Sequence, residues 1–143
     1  MEEILEIKKL LLKNDIQGAL LIVEELEEMS RDDIINEIES YAIVIMAHLI
    51  KQELEGRTTN SWDASIKNSV RRILRKNKRR RAGGCYLSNE ELLAALEEVY
   101  VDAVQEAAVE VRQGIYSSKE LEKMLAKEDI VIKTFNMIVE GPN

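Results

Sequence analysis

Apolar residues recur along this chain at the three-and-four spacing of α-helices almost from end to end. Ile4, Leu5, Ile7, Leu10, Leu11 and Leu12 make a first amphipathic run, and Asn14-Asp15 then supplies a turn and an N-cap. A second run, from about Ile16 to Met29, points Ala19, Leu20, Ile22, Val23 and Leu26 inward, and Gly18 should weaken its first turns by roughly 1 kcal/mol relative to Ala. The short connection predicts an antiparallel helical hairpin over residues 2–29. Ser30 with Asp33 reads as a variant capping box that opens a third helix, Arg31 to Glu55, which Gly56 ends. In that helix Ile34, Ile38, Tyr41, Ile45, Leu49 and their neighbours form a wide stripe, while Ile43, Val44 and Ala47 fill the other sides. A helix apolar nearly all round is expected at the centre of a fold or at a subunit interface.

The fourth helix, from about Trp62 to Arg80, follows Thr58-Thr59-Asn60-Ser61, any of which could cap it. At about 100° per residue, Trp62, Ile66, Val70, Ile73 and Leu74 fall on one face, and the basic residues are centred opposite. Gly83-Gly84 breaks this helix. Ser88 with Glu91 is a capping box opening Asn89 to Gln113, ended by Gly114, with Leu92, Leu96, Val99, Ala103 and Ala107 as its buried seam. Ser117 with Glu120 opens a short helix carrying Leu121, Met124 and Leu125. The apolar tail over 130–143 is β-rich in composition but follows neither period cleanly, so helix and strand both stay open, with a short helix or an extended arm packed on a neighbour expected. The pattern predicts an all-α, single-domain bundle of about six helices over residues 1–143.

A length of 143 residues fits one core. The longest apolar stretch, Tyr41 to Ile50, is about half of what crosses a bilayer as a helix. The N-terminus opens with Glu2 and Glu3 in place of a basic signal region, so a cytoplasmic protein with no membrane partner is expected. One cysteine and one histidine fall short of an intramolecular disulfide or a structural zinc site, and neither metal nor cofactor is expected. Charge changes the picture more. The net charge is −7, yet residues 1–55 hold 14 acids and 5 bases, residues 82–143 hold 12 acids and 5 bases, and residues 67–81 hold 9 bases and no acid. Those nine are Lys67, Arg71, Arg72, Arg75, Lys76, Lys78, Arg79, Arg80 and Arg81.

The stretches VEELEEMSRDD (23–33), IMAHLIKQ (45–52) and SWDASIKNSVRRIL (61–74), in that order and spacing, resemble the signature of the domain of unknown function 29 family, abundant in cyanobacteria. LLAALEEVYVDAVQEAA (92–108) is similar to that family's second half and LEKMLAKEDI (121–130) to its closing helix, so the resemblance covers about Leu20 to Ile130. The family's Cys-Pro-Tyr stretch and Asp-Phe pair are replaced here by GIYSSKEL and EDI. The resemblance implies an all-α fold and a bacterial, cyanobacterial source, with no established activity to transfer.

Enzyme motifs fail on spacing. A di-iron bundle needs Glu-x-x-His on two helices, but Ile45 holds that offset before His48, the one histidine. Glu24 with Glu27 and Glu25 with Glu28 satisfy half of the magnesium motif of all-α nucleotide pyrophosphohydrolases, yet no Glu lies three residues before any Asp. No Arg lies about five residues before His48, as helical ribonucleases require, and Gly83-Gly84 lacks the Gly-Lys-Ser/Thr of a phosphate loop. His48 and Trp62 read as core or interface residues, Glu24, Glu25, Glu27 and Glu28 as a solvated helix face, and Cys85 as an unremarkable thiol despite the nearby arginines.

The basic segment is the one feature with a functional reading. It could meet the chain's own acidic helices or those of a second copy, an acidic protein partner, or nucleic acid through salt-dependent phosphate contacts. The expectation is a non-enzymatic interaction or scaffold module, a homodimer formed through Tyr41–Ile50 or the 130–139 tail, whose basic helix makes internal or intersubunit contacts. A sequence-tolerant nucleic-acid-binding protein working through Lys67–Arg81 is the alternative.

Overall fold

The computed structural model describes residues 2–79 and 83–141, and the regular elements among them are α-helices apart from a short 3-10 turn, Val111–Gly114, and one isolated antiparallel bridge between Lys78 and Cys85. The helices are α1 (Glu2–Leu12), α2 (Ile16–Glu55), α3 (Asn60–Asn77), α4 (Asn89–Glu110), α5 (Ser118–Met124) and α6 (Lys127–Glu140). None of these helices is long and apolar enough to cross a membrane. The chain divides into two compact units, Met1–Ile34 and Ile35–Asn143.

The first unit holds α1 and the start of α2. Asn14 takes φ 60°, and the Asp15 amide donates to the Leu10 carbonyl at 2.8 Å, which closes α1. Asp15 then caps α2 by accepting from the Gly18 amide at 3.0 Å. A Cβ at position 18 would lie 2.5 Å from Asp15 Oδ2, so the glycine that weakens the first turn also makes room for its cap. Ala19 is the buried residue of this unit among those described, and Leu20, expected to face inward, is exposed.

Two expected helices prove to be one. α2 runs through Met29, Ser30 and Arg31 without a break for 40 residues. Ser30 can cap only by leaving helical φ/ψ, and no glycine or proline between Gly18 and Gly56 makes the chain do so. Local cap chemistry therefore loses to continuous propagation.

In the second unit the core is built by Ile38, Ala42, Ile45, Met46, Leu49 and Ile50 of α2, Ile66, Val70 and Ile73 of α3, and Leu92, Leu96, Val99, Ala103, Val104 and Ala107 of α4. Each Ile, Leu, Val or Met buried there is worth about 1.5–3 kcal/mol relative to exposure. The apolar stretch Tyr41–Ile50 is thus central within this unit, where most of it is covered by the chain's own helices. The tail is helical: Ile130, Val131, Thr134 and Ile138 of α6 are buried, and α6 packs on α3 and α4. The Thr134 hydroxyl donates to the Ile130 carbonyl at 2.8 Å, so its burial leaves no orphan donor. Packing of that face overrides a β-rich composition.

Both expected capping boxes at Ser88–Glu91 and Ser117–Glu120 form. α4 stops at Glu110, three residues before the expected end, because Arg112 and Gln113 take φ 50° and 61°. Gly114 follows at φ 76°, where a Cβ would meet the Val109 carbonyl oxygen at 2.9 Å.

Candidate functional site

α3 is positioned by its own caps and by α2. The Thr59 hydroxyl accepts from the Trp62 amide at 3.0 Å and starts the helix. Gln52 donates to Asp63 at 3.3 Å, Arg72 stacks on Tyr41 at 5.8 Å, and Lys76 pairs with Glu37 at 2.9 Å. The numbers rise on α3 as they fall on α2, so the two helices run antiparallel here. Ile66, Ser69, Val70 and Ile73 are buried, and Lys67, Arg71, Arg72, Arg75 and Lys76 are exposed, as an amphipathic helix requires.

The cations on that outer side are not equivalent. Among the described residues Lys76 is the one that meets a carboxylate, Glu37. Arg72 is engaged by the face of Tyr41, a cation–π contact that costs it no charge. Among the described residues Lys67, Arg71, Arg75 and Lys78 have no ion-pair partner. Lys67, Arg71 and Arg75 follow one another at four-residue steps, about 6 Å along the axis. Among the described residues of the basic segment, one ion pair with the chain's own acids is present, Lys76 with Glu37.

Lys78 and Arg79 leave the helix, contrary to the expected end at Arg80. Asn77 explains why: its side chain accepts from the Leu87 amide at 2.7 Å and donates to the Leu87 carbonyl at 3.1 Å, while its own carbonyl accepts from the Tyr86 amide at 2.9 Å. Gly83 and Gly84, at φ 76° and 71°, turn the chain so that the Arg79 amide donates to the Gly84 carbonyl at 3.1 Å. Arg79 lies over the ring of Tyr86 at 5.5 Å. Arg80 and Arg81 fall outside the described residues. Cys85 is an exposed free thiol on the returning strand of this turn.

A second polar cluster lies at the other end of α3. Lys51 is buried on α2 and its Nζ donates to Glu110 Oε2 at 2.6 Å. The same ammonium lies 5.4 Å from the Trp62 ring centroid, and Arg57 covers that ring at 4.9 Å. His48 and Trp62 face each other at 6.2 Å, both half-buried. Burial, then the Lys51 ammonium, push the His48 pKa down, opposed by Glu110. Its hydrogen bond and charge contact with Lys51 hold the Glu110 carboxyl below its ordinary value. The sequence shows His48 and Trp62 singly, whereas Lys51 and Glu110, which join them, lie 59 positions apart. A lysine directly after the apolar stretch Tyr41–Ile50 is the signal the sequence offers.

No group of three metal-ligating side chains comes together among the described residues. Glu24, Glu25, Glu27 and Glu28 are exposed on α2. A cleft of about 300 Å³ lined by Leu49, Gln52, Glu53, Asp129, Ile130 and Lys133 mixes both charge signs, and no Ser, Cys or His lines it.

The model of a family described as domain of unknown function DUF29 matches residues 16–125. No curated protein and no solved structure matches the chain.

Proposed function

The chain belongs to the family described as domain of unknown function DUF29, and since that description names no activity we infer its role from its own residues: a non-enzymatic helical interaction module that offers the cationic face of α3 to an acidic protein partner. The observation that carries the reading is the row Lys67, Arg71 and Arg75, exposed and without an ion-pair partner among the described residues. Its step of about 6 Å is the step at which a facing helix presents carboxylates at i, i+4 and i+8. Rows of this kind set register and partner choice more than raw affinity.

The same row favours a second reading, sequence-tolerant nucleic-acid binding. Six described cations that meet no carboxylate, Lys67, Arg71, Arg72, Arg75, Lys78 and Arg79, would neutralise about six phosphates, the low end of the 6–10 of strong binders, and a chain of net charge −7 repels a polyanion at long range more strongly than a protein that carries only an acidic row. The acidic-protein reading is therefore placed first.

The test is a titration of labelled duplex DNA, RNA and a helical peptide with Glu at every fourth position, each at about 50 and 200 mM salt, beside the Lys67→Glu, Arg71→Glu, Arg75→Glu reversal. Binding of the peptide that the reversal abolishes, with weak or absent nucleic-acid binding, supports the first reading. Nucleic-acid binding that falls about 10³-fold between the two salts, the slope of six phosphate contacts, installs the second. Binding of none of the probes removes both.

A further inference from the structure

We propose that the N-terminal unit, Met1–Ile34, is the seat of a homodimer in which a second copy of this chain covers the apolar side chains of α1 and the start of α2. The unit carries helices with no core of their own: α1 has no buried residue, and Ala19 alone is buried among its described residues. Units below about 40 residues generally need a disulfide, a metal or a partner to hold together. Leu5, Leu11, Leu12, Ile16, Leu20 and Leu21 are each more than half exposed, Leu12 at 86%.

These six side chains present on the order of 350 Å² of apolar surface. One face of a standard interface is about 800 Å², of which a little over half is apolar, so the unit by itself supplies most of the apolar share. Scattered single apolar residues need no explanation, but six within seventeen positions do. The apolar area, close to the share that one side of a standard interface needs, favours a second copy. An apolar surface can be complementary to itself, as a two-fold contact requires, and every copy brings the same one; the 10 acids against 4 bases of each unit oppose the contact, and the apolar burial outweighs them. The dimer expected from sequence moves to a new place, because the Tyr41–Ile50 stretch and the tail are used inside the second unit.

An apolar dimer between two acidic units has a salt signature. Screening weakens the repulsion between them, so association holds or tightens as salt rises, opposite to a contact made by the α3 cations. The inference does not depend on the proposed role of α3, and the two fail separately.

Sedimentation equilibrium of the full chain at about 10 µM, a concentration that reports dissociation constants of that order or tighter, is the test. Twice the 16.4 kDa chain mass is expected at low and high salt, falling to the monomer mass in Leu12→Glu, Leu21→Glu. Both side chains are exposed, so far-UV circular dichroism should stay helical, and Val109→Glu, exposed in the second unit, should leave the dimer intact. A monomeric wild-type chain overturns the proposal. So does a dimer that survives the double substitution, dissolves with salt, or disappears in the Lys67, Arg71, Arg75 reversal.

Discussion

The buried Lys51 ammonium on α2 and the largely exposed Glu110 carboxylate at the end of α4 meet at 2.6 Å, and the pair is unequal: the lysine side chain is 8% exposed and the glutamate 64%. One partner has given up its water and the other has not.

That inequality predicts an unequal response to substitution. Glu110→Ala strands a buried ammonium and should cost roughly 1–3 kcal/mol, the penalty of a desolvated polar group left unpaired. Lys51→Met keeps the apolar stem and leaves behind only a carboxylate that water already reaches, so it should cost less. Urea denaturation of both variants checks the order.

Glu39 gives a stabilising substitution. Burial, then the carboxylates of Glu98 and Asp102, raise its pKa above 4.5, so ionising it in the folded protein is unfavourable. The native state binds more protons than the unfolded one between 4.5 and the raised value, and stability falls as pH rises through that window. Glu39→Gln should raise Tm at neutral pH and have no benefit below 4.5, as thermal melts at several pH values would read.

The opposite sign holds at His48. Its folded pKa lies below 6.5, so between that value and 6.5 the unfolded chain binds the extra proton and stability falls as pH drops. Glu110, whose pKa is lowered, adds a further loss as pH falls from 4.5 through its folded value. His48→Gln should flatten the first loss and keep the second, which denaturation midpoints against pH would separate.

Asn77 is the joint between α3 and the turn that carries Arg79. Asn77→Ala removes two hydrogen bonds to the buried Leu87 backbone and should cost about 2 kcal/mol. Asn77→Asp keeps the acceptor for the Leu87 amide and loses only the donor, so it should lie between Ala and wild type. Hydrogen exchange at the Leu87 amide is the local readout.

What the sequence determined by itself is every feature that rests on neighbours within a few positions. The 3.6-residue period of apolar residues specified an all-α chain, Ser88–Glu91 and Ser117–Glu120 specified two helix starts, and the period of Trp62–Leu74 put the cations of α3 on its outer side. Tertiary structure decided the rest. Ser30–Asp33 is a variant of the same box, with Asp in place of Glu, and sits in a chain with nothing to halt the helix, and the β-branched tail becomes α6 because α3 and α4 offer its face a place to pack. The reach of each cation was decided there too: only folding brings Glu37 to Lys76 and leaves Lys67, Arg71 and Arg75 to solvent. A helical period states which residues share a face, whereas the occupant of the opposite face is set by contacts tens of positions away, such as Lys51 with Glu110, whose cost and gain have no local signature.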